Sequence, residues 1–339
     1  MNGRRATGFR RLVWVALVLT FVVVMLGAYV RLSDAGLGCP DWPGCYGRLL
    51  DLPDQPHQIA EANAAYPHRP VEPAKAWKEM VHRYVAGTLG LLVLALVVLA
   101  WRNRRDPGQP LGLPLALLGL IVFQSLLGMW TVTWQLKPVV VVAHLLGGLA
   151  TLGLLTWLVL RQGRYGGGSV VAADRTLRGY ALLGLALLIV QITLGGWTSA
   201  NYAALACPDF PTCQTHWWPP VDFREAFMPW RGLGVSYEGG VLANDARVTV
   251  HVMHRLGALV VALYLGWLSL RLVTTARGRA LRFAGIAIAV LLAVQIGLGI
   301  ANVLLRLPLP VAVAHTGGAA LLLLSLVTLN HLLRPETAA

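Results

Sequence analysis

Charge is scarce in this chain of 339 residues: Asp and Glu together number 15, all charged residues make up 13%, and cysteine occurs only four times. A water-soluble domain carries roughly 25% charged residues, so a chain of this size with so little charge is not built to face water on all sides. Hydrophobic residues make up 56% instead, and the mean hydropathy is positive. A helical membrane crossing needs about 20 apolar residues. Eight segments qualify, at roughly 12–30, 79–100, 111–131, 139–160, 177–198, 249–270, 280–301 and 309–332. The fold class expected is an all-α integral membrane protein whose termini share one side of the bilayer.

The formal net charge of +13 would suggest nucleic acid if the basic residues lay on a polar domain, but they sit in short loops. One face collects Arg4, Arg5, Arg10, Arg11, Arg102, Arg104, Arg105, Arg161, Arg164, Arg175, Arg178, Arg271, Arg277, Arg279, Arg282 and Arg334. By the positive-inside rule that face is cytoplasmic, and lipid rather than nucleic acid is the partner. The first segment follows Arg10 and Arg11 as a signal peptide would, yet it is long for one and has a counterpart deep in the chain, so a retained span is expected.

That counterpart belongs to an internal repeat. Gly27, Cys39, Pro40, Asp41, Pro43 and Cys45 recur 168 residues later as Gly195, Cys207, Pro208, Asp209, Pro211 and Cys213. His82-Arg83 recurs as His254-Arg255, while Gln124, Gly128 and His144 recur as Gln295, Gly299 and His315. The chain therefore divides into two pseudosymmetric four-helix bundles, residues 1–165 and 166–339. Each half has an even number of spans, so the pseudo-twofold axis runs along the membrane normal and both cysteine loops share the outer, periplasmic face. In that oxidising compartment the pairs Cys39–Cys45 and Cys207–Cys213 read as intra-loop disulfides. Free thiols or a zinc site suit the compartment poorly. A structural clamp and a thiol-exchange role for the first pair both remain open.

Four of the nine histidines, His82, His144, His254 and His315, fall near the starts of even-numbered spans at repeat-equivalent positions. An ionisable residue inside a membrane is costly and marks function. Paired imidazoles from facing helices form a natural haem cage. Gly147 and Gly148 follow His144 by three and four residues, and Gly318 and Ala319 follow His315, leaving a bare face on which a macrocycle can lie. Gln124, Gln191 and Gln295 each precede a glycine by four residues, setting an amide and a gap on one helical face; close helix packing explains the glycines equally well. Arg83 and Arg255 are candidate propionate contacts, with ordinary snorkelling as the alternative.

The halves differ at one place. Glu79 lies three residues before His82, whereas His251 lies three before His254. A partly desolvated carboxyl group can exchange protons near neutral pH, while a solvated acid at a helix N-terminus would only meet the dipole. The asymmetry suggests that one half retains a cofactor and the other works on a substrate.

Together, GAYVRLSDAGLGCPDWPGC, EMVHR, VVAHLLGG, the second cysteine loop, VMHR and VAHTGG resemble the haem A synthase family of cytochrome oxidase assembly factors, over nearly the whole chain. The resemblance implies a bacterial inner-membrane oxidoreductase that converts the C8 methyl of haem O to the formyl of haem A. It implies that His254 and His315 ligate a haem b cofactor, that His82 and His144 address the substrate haem, and that Glu79 is catalytic. His251 has no assigned role; a neighbour of haem b or an interfacial residue are its two readings. Haem O synthase and an electron-transfer protein are the implied partners. The competing functions are a di-haem b-type electron carrier, with two equally retained haems, and a haem transporter or chaperone that releases haem unaltered. Trp217, Trp218, Phe227, Trp230 and Tyr237 mark the long loop 200–247 as a lid or an interfacial segment.

Overall fold

The computed structural model describes residues 3–106, 108–162, 175–232, 234–276 and 278–334. Arg164, Arg277 and the expected boundary between 165 and 166 lie outside the described residues, as do the side chains of Arg4 and Arg5. The described helices are α1 (Gly3–Leu32), α2 (Pro56–Ala65), α3 (Pro73–Arg102), α4 (Gly112–Thr133), α5 (Pro138–Gln162), α6 (Arg175–Ala200), α7 (Phe223–Ala226), α8 (Asn244–Thr275), α9 (Arg279–Leu304) and α10 (Leu309–Leu332). All but α2 and α7 are long and apolar enough to cross a membrane, eight in total among the described residues.

Helix is what a lipid-embedded chain must form, because only helices and closed barrels pair every backbone group internally. Proline sets several of the starts: Pro56, Pro73 and Pro138 each open a helix, where the missing N–H costs nothing. The helices outrun the apolar segments. α8 begins at Asn244 rather than near 249, and its first turn carries Asp245, which the helix dipole favours there.

The turns repeat along with the sequence. Left-handed backbone at Asp34 and Tyr46 (φ 51° and 54°) recurs at Tyr202 and Gln214 (φ 53° and 51°), and Gln135-Leu136 (φ 49° and 59°) recurs at Arg306-Leu307 (φ 59° and 62°). Side chains rarely adopt this region without compensation. Finding repeat-equivalent positions in it, most of them occupied by different residue types, shows that the two halves turn their chains in the same way at these points.

α1 and α4 each pack on both α3 and α5, closing a ring of four helices, and α6 and α9 each pack on both α8 and α10, closing a second. α3 and α5 are thus diagonal in the first ring, and α8 and α10 in the second. The rings meet where α10 touches α1 and α5, and α5 touches α6. One core, including Val13, Leu89, Leu96 and Leu117, lies within the first ring. Another joins Leu149 and Leu152 of α5 to Leu188, Leu265 and Leu326 of the second half. Outward-facing Leu91, Leu263 and Phe283 are 69%, 68% and 67% exposed. Such a surface is a lipid-facing one, since water would penalise a patch of that extent.

Candidate functional site: two diagonal histidine pairs beneath cysteine loops

His82 on α3 and His144 on α5 stand on diagonal helices of the first ring, near enough to interact electrostatically, and His254 on α8 and His315 on α10 stand in the same relation in the second. Each imidazole backs onto a glycine of an adjacent helix. A Cβ at Gly27 would stand 3.1 Å from His82 Cε1, one at Gly128 3.5 Å from His144 Cε1, one at Gly195 3.0 Å from His254 Cε1, and one at Gly299 3.2 Å from His315 Cε1. These glycines therefore make room for the rings themselves.

The expected bare face beside His144 and His315 has a different occupant. Gly147 is filled by the Gln124 side chain and Gly318 by Gln295, because each amide reaches across to the carbonyl of the histidine one turn earlier. The space is a slot for an amide, which corrects its reading as a bed for a macrocycle. Gly257 does the same for Gln191 beside His254, a position that the sequence reading passed over.

No group of three or more His, Cys, Asp or Glu able to hold a bare metal ion exists among the described residues. Each diagonal pair offers two nitrogen ligands in an apolar bundle and no more. Nδ1 of His82, His144 and His315 is buried without a hydrogen-bond partner among the described residues. Two imidazoles on diagonal helices, at least one in each pair with a nitrogen left unpartnered, suit a metal that brings its own equatorial ligands, as haem iron does.

Above each pair sits a cysteine loop. Disulfides join Cys39 to Cys45 and Cys207 to Cys213, and no free cysteine remains among the described residues. Asp41 accepts hydrogen bonds from the Tyr46 and Gly47 N–H groups at 2.7 and 2.8 Å, and Asp209 does so from Gln214 and Thr215 at 2.6 and 3.0 Å. Bonding to the Thr212 hydroxyl, with help from those two amides, holds the Asp209 carboxyl below its usual value against the opposing effect of desolvation.

The arginines turn back on these loops. Arg83 Nη1 donates to the carbonyls of Asp41, Pro43 and Gly44 at 3.0, 3.2 and 2.5 Å; Arg255 donates to those of Cys207, Asp209 and Thr212 at 3.0, 2.8 and 2.8 Å. Several carbonyls converging at one point make a natural seat for a guanidinium. The loops are thereby fastened to α3 and α8 at matching positions.

Glu79 is 5% exposed and lies in the second turn of α3, so it is no solvated helix-start residue. Its Oε1 pairs with Arg83 Nη2 at 2.5 Å and its Oε2 accepts the Cys39 N–H at 2.9 Å. His251, the equivalent on α8, is 4% exposed and bonds through Nδ1 to the Ala203 carbonyl at 3.0 Å. His251 thus anchors the chain entering its cysteine loop. Glu79 does the same in the first half, but with an ionisable acid.

The second half also roofs the first. Tyr237 N–H donates to the Gln135 carbonyl at 3.1 Å, and Arg69 pairs with Glu238 at 2.8 Å. Tyr237 packs in one cluster with Leu37, Val132 and Leu136. Lys137, 1% exposed, donates to the Gly232 carbonyl at 2.9 Å beneath the Trp230 ring, and burial lowers its pKa. A 240 Å³ cavity adjoins it, lined by Thr133, Trp134, Tyr237 and neighbouring residues. Trp217 and Trp218, by contrast, are 79% and 61% exposed.

The chain matches the family of cytochrome oxidase assembly proteins designated COX15-CtaA over residues 10–327. It is 48% identical over 322 residues to a haem A synthase of Shewanella oneidensis, covering 94% of each chain. A haem A synthase of Rhizorhabdus wittichii is 28% identical over 343 residues, covering 94% of this chain and 92% of its own. One from Shouchella clausii is 26% identical over 291 residues, covering 85% and 83%.

Proposed function

The chain belongs to the haem A synthases among the cytochrome oxidase assembly proteins, and from that membership we propose that it oxidises the C8 methyl of haem O to the formyl group of haem A. It is a multi-pass bacterial membrane protein that handles haem. The observation that carries the reading is the pair of diagonal histidine couples, one per bundle, with only one of them neighboured by a buried carboxylate. In this reading residues 166–339 retain haem b on His254 and His315, and residues 1–165 admit haem O between His82 and His144. Haem b, when bound, supplies the redox chemistry that an unactivated methyl requires.

The chain's own residues do the rest. Glu79 takes up protons released as the methyl is oxidised, or stabilises developing positive charge, while Cys39 N–H and Arg83 fix its position. Arg83 and Arg255, anchored on the loops, present cationic charge to haem propionates at that face. The arginine-rich helix ends opposite the cysteine loops make the termini cytoplasmic and the loops periplasmic. The substrate comes from an enzyme making haem O in the same membrane; with water as the source of the formyl oxygen, protons are released and the electrons leave through a redox partner. Expression in a cell that makes haem O but no haem A, followed by chromatography of extracted haems, tests the reading. Haem A is expected; unchanged haem O would count against it.

A further inference from the structure

Three of the four membrane histidines share a second neighbour. Gln124, Gln191 and Gln295 reach from the preceding spanning helix and donate Nε2 to the backbone carbonyl of His144, His254 and His315, at 2.9, 3.0 and 3.0 Å. The third residue beyond each of these histidines is glycine, Gly147, Gly257 or Gly318, and a methyl group there would collide with the amide. A residue three positions on lies over the same helical face, so only a bare backbone lets a neighbouring side chain reach that carbonyl.

At His82 both parts of the device are replaced together. The repeat position of Gln191 is Val23, and the third residue beyond His82 is Val85. Helix spacing does not demand the exchange, because Gly27 meets His82 as closely as Gly195 meets His254. Two branched apolar side chains stand where the other sites have an amide and its slot.

The amides also have bonding capacity to spare beside the rings. Oε1 of Gln124, Gln191 and Gln295 is buried with no hydrogen-bond partner among the described residues, and so is Nδ1 of His144 and His315. Gln191 Nε2 lies 3.0 Å from His254 Nδ1, and Gln295 Nε2 lies 3.3 Å from His315 Nε2. An imidazole that gives one nitrogen to a metal keeps a proton on the other, and a partner for that N–H fixes the ring's tautomer and orientation. At His254 and His315 the amide atom against the ring is the Nε2 donor, which is tied to the histidine's own carbonyl and so holds the ring's orientation from the neighbouring helix.

We propose that Gln124, Gln191 and Gln295 are positioning residues for His144, His254 and His315, and that His82, which has no such amide, is the compliant ligand through which the first half admits and releases its haem. This rests on the haem-binding reading of the two pairs. One half then has both ligands held and retains its haem, while the other has one ligand held and one free to yield.

The test uses the full chain in detergent, carrying haem b and loaded with haem O, and follows transfer of each haem to excess apomyoglobin. Chromatography of the extracted haems reads the two sites separately. Installing the amide and its slot with Val23→Gln and Val85→Gly together is expected to slow haem O loss about tenfold and leave haem b loss unchanged. Gln191→Leu, which removes the donor to the His254 carbonyl, is expected to speed haem b loss about tenfold and to alter the low-spin spectrum. Haem O released at the wild-type rate by the double variant overturns the proposal. So does a Gln191→Leu protein with wild-type haem b loss and spectrum. If the double variant does not fold, the Gln191 comparison decides. A wild-type chain that takes up no haem O would instead sink the substrate assignment, and the haem b measurements on Gln191 would still decide the role of the amides.

Discussion

Glu79 is held by a guanidinium on one oxygen and a backbone N–H on the other. Replacement by Gln keeps the shape and an acceptor for Cys39 but gives Arg83 a weaker partner. A buried donor that loses its partner costs about 1–3 kcal/mol, so some loss of stability is expected along with the loss of an ionisable group. The Glu79→Gln protein should nonetheless retain haem b, whose proposed ligands lie in the other ring, and lose conversion of haem O at least about 100-fold. Haem b content against haem A production in the same membranes checks this; wild-type levels of both would remove the catalytic assignment. Asp209 carries a pH prediction. Its folded pKa is depressed, so the stability it contributes is present above the ordinary carboxylate value and is lost as pH falls through the folded one. Protection of the Gln214 and Thr215 amides, corrected for intrinsic exchange, should be constant from neutral pH down to about 4 and fall below that. Equal protection on both sides would show that Asp209 does not hold the loop. Glu79 and the four histidines were legible in the sequence because ionisable residues stand out in apolar segments. The role of His251 was not, since its partner is a backbone carbonyl 48 positions away.

Among the elements, the cysteine loops are the most nearly duplicated: disulfide, aspartate cap and arginine fastening all recur. The sequence showed the disulfides through spacing and compartment, but it showed the arginines only as cations near an interface, because the carbonyls they bind belong to the folded loop. Thiol labelling of denatured protein isolated without reductant should find all four cysteines blocked; four labelled thiols would contradict this. Replacing either pair should destabilise its loop by about 2 kcal/mol, as expected for so short a closed loop, measured as earlier local unfolding. The spans were legible in number but short at their ends. Hydropathy reports the stretch lying in hydrocarbon, whereas α3 and α8 continue as helix past it to Pro73 and Asn244. The glycines near the histidines were misread in part, since sequence spacing shows an empty helical face without showing which side chain from the next helix fills it.

Over the whole molecule, two rings of helices share a wall along α5 and α10, and the second half's loop reaches back over the first. The repeat made the two halves visible from sequence, but a repeat describes what the halves have in common. The roof over the first half, with buried Lys137 beneath Trp230 and Tyr237 against Gln135, has no counterpart among the described residues and depends on which half a loop crosses. The division of labour between the halves is the central claim. Its most direct test is the haem content of four single variants, His82→Ala, His144→Ala, His254→Ala and His315→Ala, each purified and examined by low-spin absorbance and haem extraction. A haem that loses one of two protein ligands loses both affinity and its low-spin signature. The account predicts that the His254 and His315 variants lose haem b, while the His82 and His144 variants keep it and fail to convert haem O. Intact low-spin haem b in both the His254→Ala and His315→Ala proteins would contradict it and place the cofactor in the first half.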